Sequence, residues 1–388
     1  MDVMENPFNI ELTENQTVIK NTIREFAEKI IKPVVMQYDE SQEFPMEIIQ
    51  QLGELGFLGM LVPEEYGGAG LGYVEFAIVI EELARIDPSV SLSVAAHNGL
   101  GTNHILRFGN EEQKKKYLPG LASGKKIAAW ALTESFSGSD AAGLRSAAEK
   151  KDDYFLLNGS KTFTTHGTVG STYVIMAITD KSKGKKGISA FILEKGMEGL
   201  IIGKKENKLG MRASDTTQLT FENCKVPMEN LIGEEGEGFV QAMKILEGGR
   251  ISIAALSVGL AQGCLDASLK YSNERKQFGK HLHEFQGIQF KLAEMATNIE
   301  AARLMTFRAA IKKDKGESMV KEAAMAKLFA SEIAEKASSE AVQIHGGYGF
   351  IKDYPVEKFY RDVKLCTIGE GTSEIQRVVI ARNILNEE

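Results

Sequence analysis

The chain has 388 residues, room for two or three domains, and 43% of them are hydrophobic, which excludes a disordered polypeptide. Its 46 Lys and Arg against 53 Asp and Glu give a net charge of −7, so no nucleic-acid partner is expected, because that needs a concentrated basic face. Cys224, Cys264 and Cys366 are too few and too scattered for a disulfide framework or a CxxC zinc site, and no run reaches the roughly 18 continuous apolar residues of a membrane span.

The opening segment MDVMENPFNIELTENQ lacks the charged and apolar regions of a secretory signal, which predicts a soluble, cytoplasmic protein. From Thr13 to about residue 122 the pattern is helical: Val18, Ile19, Ile23, Phe26 and Ile30 recur at three- and four-residue spacing, and Pro33 closes that helix. A Gly-rich loop, PEEYGGAGLG (63–72), and a second periodic run (75–84) follow. Near Ile127 the texture changes to short runs rich in β-branched and aromatic residues, YFLLNG, KTFTTHG, STYVIMAITD, GISAFILEKG and TTQLTFENCKVP, which predict antiparallel strands. GEEGEG (233–238) reads as a hinge, and helical periodicity returns over 239–271, 286–313, 318–344 and 373–385. The predicted organisation is a helical domain over 1–126, a β domain over 127–234 and a second helical domain over 235–388.

Several chemistries lack their signatures. No GxGxxG follows a strand, and neither GxxxxGK[ST] nor GxSxG occurs. His281 and His283 lack HExxH spacing and read as part of a solvated turn; His97, His104 and His345 read as structural, and no metal is expected.

Four segments are able to carry chemistry. ALTESFSGSDAAG (131–143) offers backbone N–H groups and small hydroxyls that suit a phosphate or polar cofactor, or simply a turn. In NGSKTFTTHG (158–167), Phe163 and Thr165 alternate onto one face that fits a flat heterocycle, or an ordinary half-buried strand. In LEGGR (246–250), two glycines inside a helix imply close approach by a packed element or by a ligand. In IGEGTSEIQ (368–376), Glu370 stands between glycines just before a helix that Ser373 and Gln376 are predicted to open as a capping box. Shielded from water, Glu370 would have a raised pKa and serve as a general base; the other reading is an acidic residue favouring the helix dipole.

Together, PEEYGGAGLG, LTESFSGSD, ERKQFGKHLHEFQ, QIHGGYGF and YRDVKLCTIGEGTSEIQR, in this order and spacing, resemble the acyl-CoA dehydrogenase family over nearly the whole chain. The resemblance implies a mixed α and β fold: an N-terminal helical domain, a middle antiparallel β-barrel domain and a C-terminal four-helix bundle. It implies FAD, an acyl-CoA substrate oxidised to a trans-2-enoyl-CoA, electrons passed to an electron-transfer flavoprotein, and a homotetramer built as a dimer of dimers. By motif match Glu370 corresponds to the base, and Gly249 stands where some relatives carry the base instead. Trp130, Leu132, Thr133, Gly138 and Ser139 match the flavin loop, with Ser139 also near the thioester. Phe163, Thr164 and Thr165 match the strand beside the isoalloxazine, and Thr372, with Ser373 and Glu374, a further FAD contact. Arg275, Phe278, Gln286, Gln343, Gly346 and Gly347 match positions that reach the FAD of a neighbouring subunit. Glu247, Arg250 and Gly371 match substrate contacts; in the family the N–H of the base itself and a flavin ribityl hydroxyl hold the thioester oxygen.

The chain departs from the family pattern at Thr164 and His166, expected near the flavin ring, at Ser135-Phe136 in the flavin loop, and at Gly369, where a tyrosine usually precedes the base. The last change predicts room for short or branched acyl groups. An oxidase or monooxygenase on the same scaffold and a non-catalytic FAD-binding member are the rival expectations.

Overall fold

Thr13 opens the first helix, α1 (Glu14–Phe26), through a capping box with Gln16. The helix runs on as a π turn (Ala27–Ile31) and stops ahead of Pro33, as the sequence predicts. The computed structural model describes residues 11–385; the first ten residues, with most of the segment read for a secretory signal, and the last three lie outside the described residues. Helices α2 (Val35–Ser41), α3 (Met46–Glu54), α4 (Tyr73–Ala84), α5 (Pro88–Ala96), α6 (Asn103–Phe108) and α7 (Glu111–Ala122) complete the N-terminal region. Asp87 caps α5, with Pro88 at its first position, and every residue of α5 is buried.

The β region holds β1 (Ala128–Ala131), β2 (Ala147–Lys150), β3 (Tyr154–Thr165), β4 (Thr172–Ile178), β5 (Ile188–Glu194), β6 (Leu200–Lys205), β7 (Thr216–Pro227) and β8 (Leu231–Ile232). They form one sheet in the order β6-β7-β3-β2-β4-β5-β8, with β1 beside β4. Two expectations need correction. β1 and β2 run parallel to β4, so the sheet is mixed rather than antiparallel. The path is also open: among the described residues β6 pairs only with β7 and β8 only with β5. β8 ends after two residues, where Gly233 turns the chain at φ 68°, and is too short to close a barrel. The predicted runs at YFLLNG and KTFTTHG are one strand, β3, with register shifts at 157–159 and 161–164.

The C-terminal region comprises α8 (Gly238–Glu274), a small hairpin of β9 (Lys276–Gln277) and β10 (Lys280–His281), α9 (Gln286–Asp314), α10 (Val320–His345), α11 (Val356–Asp362), α12 (Lys364–Ile368) and α13 (Ser373–Leu385). α8, α9 and α10 pack on one another and α13 packs on α10, giving the expected bundle. α8 is long and apolar enough to cross a membrane by length and composition, but most of that stretch is buried as a core helix. It packs against α4 and α5 and reaches β5, joining all three regions. A fully buried cluster locks the same junction: Lys358 Nζ pairs with Asp87 (2.7 Å) and Asp362 (2.5 Å), and Asp362 accepts the Met211 N–H at 2.5 Å.

Candidate active site

The loop between α12 and α13 is built on two left-handed residues in succession, Glu370 at φ 54° and Gly371 at φ 95°. For a non-glycine residue this backbone costs roughly 1–2 kcal/mol, so the surroundings must hold it. Gln376 Nε2 donates to the carbonyls of Glu370 (3.2 Å) and Gly371 (2.9 Å), and Lys327 Nζ donates to Gly371 O at 2.8 Å. The predicted capping box is not formed. Thr372 Oγ1 accepts the Ile375 N–H at 3.4 Å, Ser373 Oγ has no partner among the described residues, and Gln376 reaches back to the strained loop. The Glu370 N–H meets no acceptor among the described residues and is free for a ligand oxygen.

The carboxylate of Glu370 lies against α8. Its Oε2 is shielded from solvent with no hydrogen-bond partner, and a Cβ added at Gly249 would sit 1.6 Å from it. Gly249 is therefore the seat of the carboxylate. Gly248 serves packing: a Cβ there would meet the Tyr73 hydroxyl at 2.5 Å, and that hydroxyl accepts a hydrogen bond from Asn103 Nδ2 at 2.9 Å. Both glycines of LEGGR are thus approached by the protein's own side chains, Tyr73 at Gly248 and Glu370 at Gly249. Burial pushes the Glu370 carboxyl up to about 7, against the opposing charges of Lys327 and Arg250. Arg250 is buried with Nε unpartnered among the described residues, and Glu247 is half-buried one turn earlier. Gly369 places no side chain beside this loop; the nearest atoms a Cβ there would meet belong to Leu365, at 3.3 Å and beyond.

The second constellation gathers at the end of β1. Trp130 Nε1 donates to His104 Nδ1 (3.0 Å), which fixes the His104 tautomer so that Nε2–H donates to Gln241 (3.0 Å). Residues 134 and 137 close a tight turn whose tip is Ser135-Phe136, and the Arg145 guanidinium lies over the Phe136 ring at 4.6 Å. Gly138 and Ser139 are exposed, Thr133 is half-buried and Leu132 is buried. The sequence reading missed what anchors this loop. Glu134 accepts the N–H groups of Arg145 (2.6 Å) and Ser146 (3.0 Å) and pairs with Lys161 Nζ (2.6 Å), which also donates to Leu132 O. Lys161 shares the buried parity of Phe155 and Leu157 on β3, and that misplaced lysine was the available signal.

Beyond Lys161 the bulge reverses the faces of β3. Phe163, at φ 53°, is 67% exposed, Thr164 is buried and Thr165 half-buried. Thr162 N–H donates to Thr133 O, so the loop lies beside the exposed Phe163. His166 is buried, with Nδ1 bonded to Ala128 O at 2.9 Å, and acts as a staple beneath β1. The side chains of Thr164 and His166 therefore face the interior rather than the surface that Phe163 presents.

An exposed aromatic and a neighbouring loop with open space around Gly138 fit a flat heterocycle such as the flavin of FAD. Glu374 is exposed and Thr372 half-buried at the start of α13. Arg275, Phe278, Gln286, Gln343, Gly346 and Gly347 are all exposed. Three of them, Arg275, Gly346 and Gly347, line one cleft of about 510 Å³, where Arg275 stacks on Tyr348 at 5.5 Å. Phe278 is 95% exposed at φ 51° at the tip of the β9–β10 hairpin. This set is not brought to the Glu370 loop: Gln343 lies 16 residues beyond Lys327 on α10, about 24 Å along the helix.

The sequence matches the family models described as acyl-CoA dehydrogenase N-terminal domain over residues 13–125, middle domain over 129–224 and C-terminal domain over 236–385. The short-chain specific acyl-CoA dehydrogenase of Clostridium acetobutylicum is 46% identical over 376 residues, 97% of this chain and 99% of that protein. The caffeyl-CoA reductase-Etf complex subunit CarC of Acetobacterium woodii is 45% identical over 376 residues, again 97% of this chain and 99% of that protein. Among solved structures, butyryl-CoA dehydrogenase from Megasphaera elsdenii superposes with a TM-score of 0.96 at 43% identity, covering 97% of this chain and 100% of that one.

Proposed function

The chain belongs to the acyl-CoA dehydrogenase family, and from that premise we propose that Glu370 is the base that removes the α proton of the acyl-CoA thioester. The observation that carries this is the Glu370 carboxylate, seated in the space over Gly249 with Oε2 shielded and unpartnered. A dehydrogenase must take a proton from a carbon next to a thioester, which is far too weak an acid for a carboxylate in water. Excluding water raises the carboxylate's affinity for that proton to a value near neutrality. The free N–H of Glu370 supplies an oriented donor for the thioester oxygen as negative charge develops there. FAD, when bound, supplies the acceptor for the hydride that leaves the β carbon. The residues that hold it in this reading are Trp130, Leu132, Thr133, Gly138, Ser139, the segment Phe163 to Thr165, Thr372 and Glu374.

The remote set of Arg275, Phe278, Gln286, Gln343, Gly346 and Gly347 supports a cofactor shared with a second copy of the chain, in a homotetramer arranged as a dimer of dimers. Its exposure and the separation of about 24 Å along α10 between Gln343 and Lys327 are the reasons. An electron-transfer flavoprotein is the electron acceptor in this reading, supported by the relative named as part of an Etf complex. A short or branched acyl chain is supported by the short-chain relative and by the missing side chain at Gly369. The three cysteines, all buried and unpaired, fit a reducing cytoplasmic setting.

Glu370→Gln keeps FAD and the fold and loses dehydrogenation by roughly 10²-fold or more, the scale of a general base; near-normal turnover would remove the assignment. Anaerobic titration with a panel of acyl-CoAs, following loss of flavin absorbance, reads the chain preference. Reoxidation by air against reoxidation by electron-transfer flavoprotein separates a dehydrogenase from an oxidase.

A further inference from the structure

The Glu370–Gly371 loop is held from two sides, and one of the two groups is a lysine that no part of the base chemistry accounts for. Lys327 sits in the middle of α10 with its side chain fully buried, among Ala323, Ala324, Ala330 and Ala334. Burying an ammonium among alanines is expensive unless it is paired or bonded. Its one hydrogen bond goes to the carbonyl of Gly371, and no ion pair with it forms among the described residues. The charges that face it come from several elements: Glu370 on the loop, Arg250 on α8 and Glu374 on α13, with the Cys366 thiol on α12. Glu370 is in turn faced by Arg250 and Lys327 and is close enough to Tyr73 on α4 to act on its phenol.

We propose that Lys327 is a positioning residue for the base: from the rigid α10 it locks the Gly371 carbonyl, so that Glu370 stays in its left-handed conformation over Gly249 with its N–H free, and its charge favours the ionised carboxylate. The inference rests on Glu370 as the base. The geometry gives the lysine two separable tasks. As a donor it shares the Gly371 carbonyl with Gln376, which holds the strained pair from the opposite element, α13. As a charge it opposes the burial that pushes Glu370 up. Burial lowers Lys327 itself to about 8, which leaves it mostly protonated at neutral pH, and loss of the Glu370 charge on proton uptake would lower it further.

Three variants separate these tasks. Lys327→Met removes donor and charge, Lys327→Gln keeps an amide donor without the charge, and Lys327→Arg keeps the charge. In Lys327→Met, kcat at pH 7 falls roughly 10- to 100-fold, as expected of a displaced reacting group, while KM changes less than about threefold. The acid limb of the kcat/KM profile moves up by about one pH unit, because an opposite charge near the base has been removed. Hydrogen exchange over residues 366–376 becomes several-fold faster while FAD content and the rest of the chain are unchanged. Lys327→Gln recovers the exchange protection but keeps the displaced limb, and Lys327→Arg returns the limb toward its original place. An acid limb unmoved in both Met and Gln variants overturns the proposal, and so does a failure of all three variants to fold, which would make the lysine purely structural. These outcomes differ from failure of the base assignment itself, which shows as turnover surviving in Glu370→Gln.

Discussion

Two loop glutamates, Glu134 buried and Glu370 half-buried with one oxygen shielded, have opposite fates. Glu134, in the loop after β1, accepts from two backbone N–H groups and from Lys161, and every contact is 3.0 Å or shorter. Glu370, in the loop after α12, has a shielded Oε2 with no partner, and the lysine nearest its loop spends its hydrogen bond on a backbone carbonyl. Burial pushes both carboxyls up, but at Glu134 the Lys161 charge and the donors outweigh it and hold the group below the ordinary range. At Glu370 the opposing charges are too weak and the group rises to about 7. The difference lies in whether donors reach the carboxylate oxygens. A satisfied carboxylate fixes a loop, and an unsatisfied one keeps its affinity for a proton.

The comparison is tested most severely by removing the lysine of the satisfied pair. Lys161→Met leaves an uncompensated charge at Glu134 and is expected to cost about 3–5 kcal/mol of stability, read by urea or guanidinium denaturation. A cost below about 1 kcal/mol would mean that the two backbone donors alone satisfy Glu134. Next in size is Gly249→Ala. A methyl group 1.6 Å from Oε2 cannot coexist with the carboxylate, so Glu370 must move. Displacement on the ångström scale is expected to lower kcat roughly 10²-fold with the fold intact. Unchanged turnover would show that the base does not react from its seat on α8.

Much of this arrangement was legible in the residues. The helical stripes of α1, α8, α9 and α10 follow from apolar spacing, and Glu370 was singled out by its flanking glycines and the helix start behind it. The paired glycines of LEGGR announced close approach, though not that one would face a tyrosine and the other a carboxylate. What stayed hidden depends on contacts distant in sequence. β1, β2 and β6 are short or carry few of the residues that mark strands, and the parallel pairing of β1 with β4 spans more than forty residues. The bulge that turns Phe163 outward breaks the period-2 pattern on which face assignments rest. Gln376 was assigned to a cap that its sequence spacing fits, but the strained loop offered two unsatisfied carbonyls that compete for it. Lys327 did leave a trace: it falls on the alanine stripe of α10, where a solvated lysine has no place.

The unsatisfied carboxylate also has a cost that can be measured apart from catalysis. In the unfolded chain Glu370 ionises at the ordinary carboxylate value of 4.5, and in the native state at about 7. Between those values the native state binds more protons than the unfolded one, so this residue's contribution to stability falls as pH rises through that window. Above pH 7 the full penalty applies, on the order of 3 kcal/mol. Glu370→Gln is therefore expected to be more stable than the original chain above pH 7, with the gain shrinking toward pH 4.5. An equal or lower denaturation midpoint above pH 7 would place Glu370 among satisfied groups like Glu134.

The smallest expected effect concerns another orphan, the Thr164 hydroxyl, which is buried on β3 without a partner. If it were merely an unsatisfied polar group, Thr164→Val would be neutral or slightly stabilising, because the methyl group matches its shape and needs no hydrogen bond. If instead it is satisfied when FAD binds, the same change removes one hydrogen bond from the cofactor, worth about 0.5–1.5 kcal/mol or a 2- to 12-fold weaker FAD affinity. The first outcome is expected, because Thr164 faces the interior while β3 turns Phe163 outward on the other face. Flavin titration of the stripped protein reads the affinity, and denaturation of the same preparation reads the stability. Weaker binding with unchanged stability would put Thr164 with Glu370, a polar group left unpaired by the fold because its partner arrives with the chemistry.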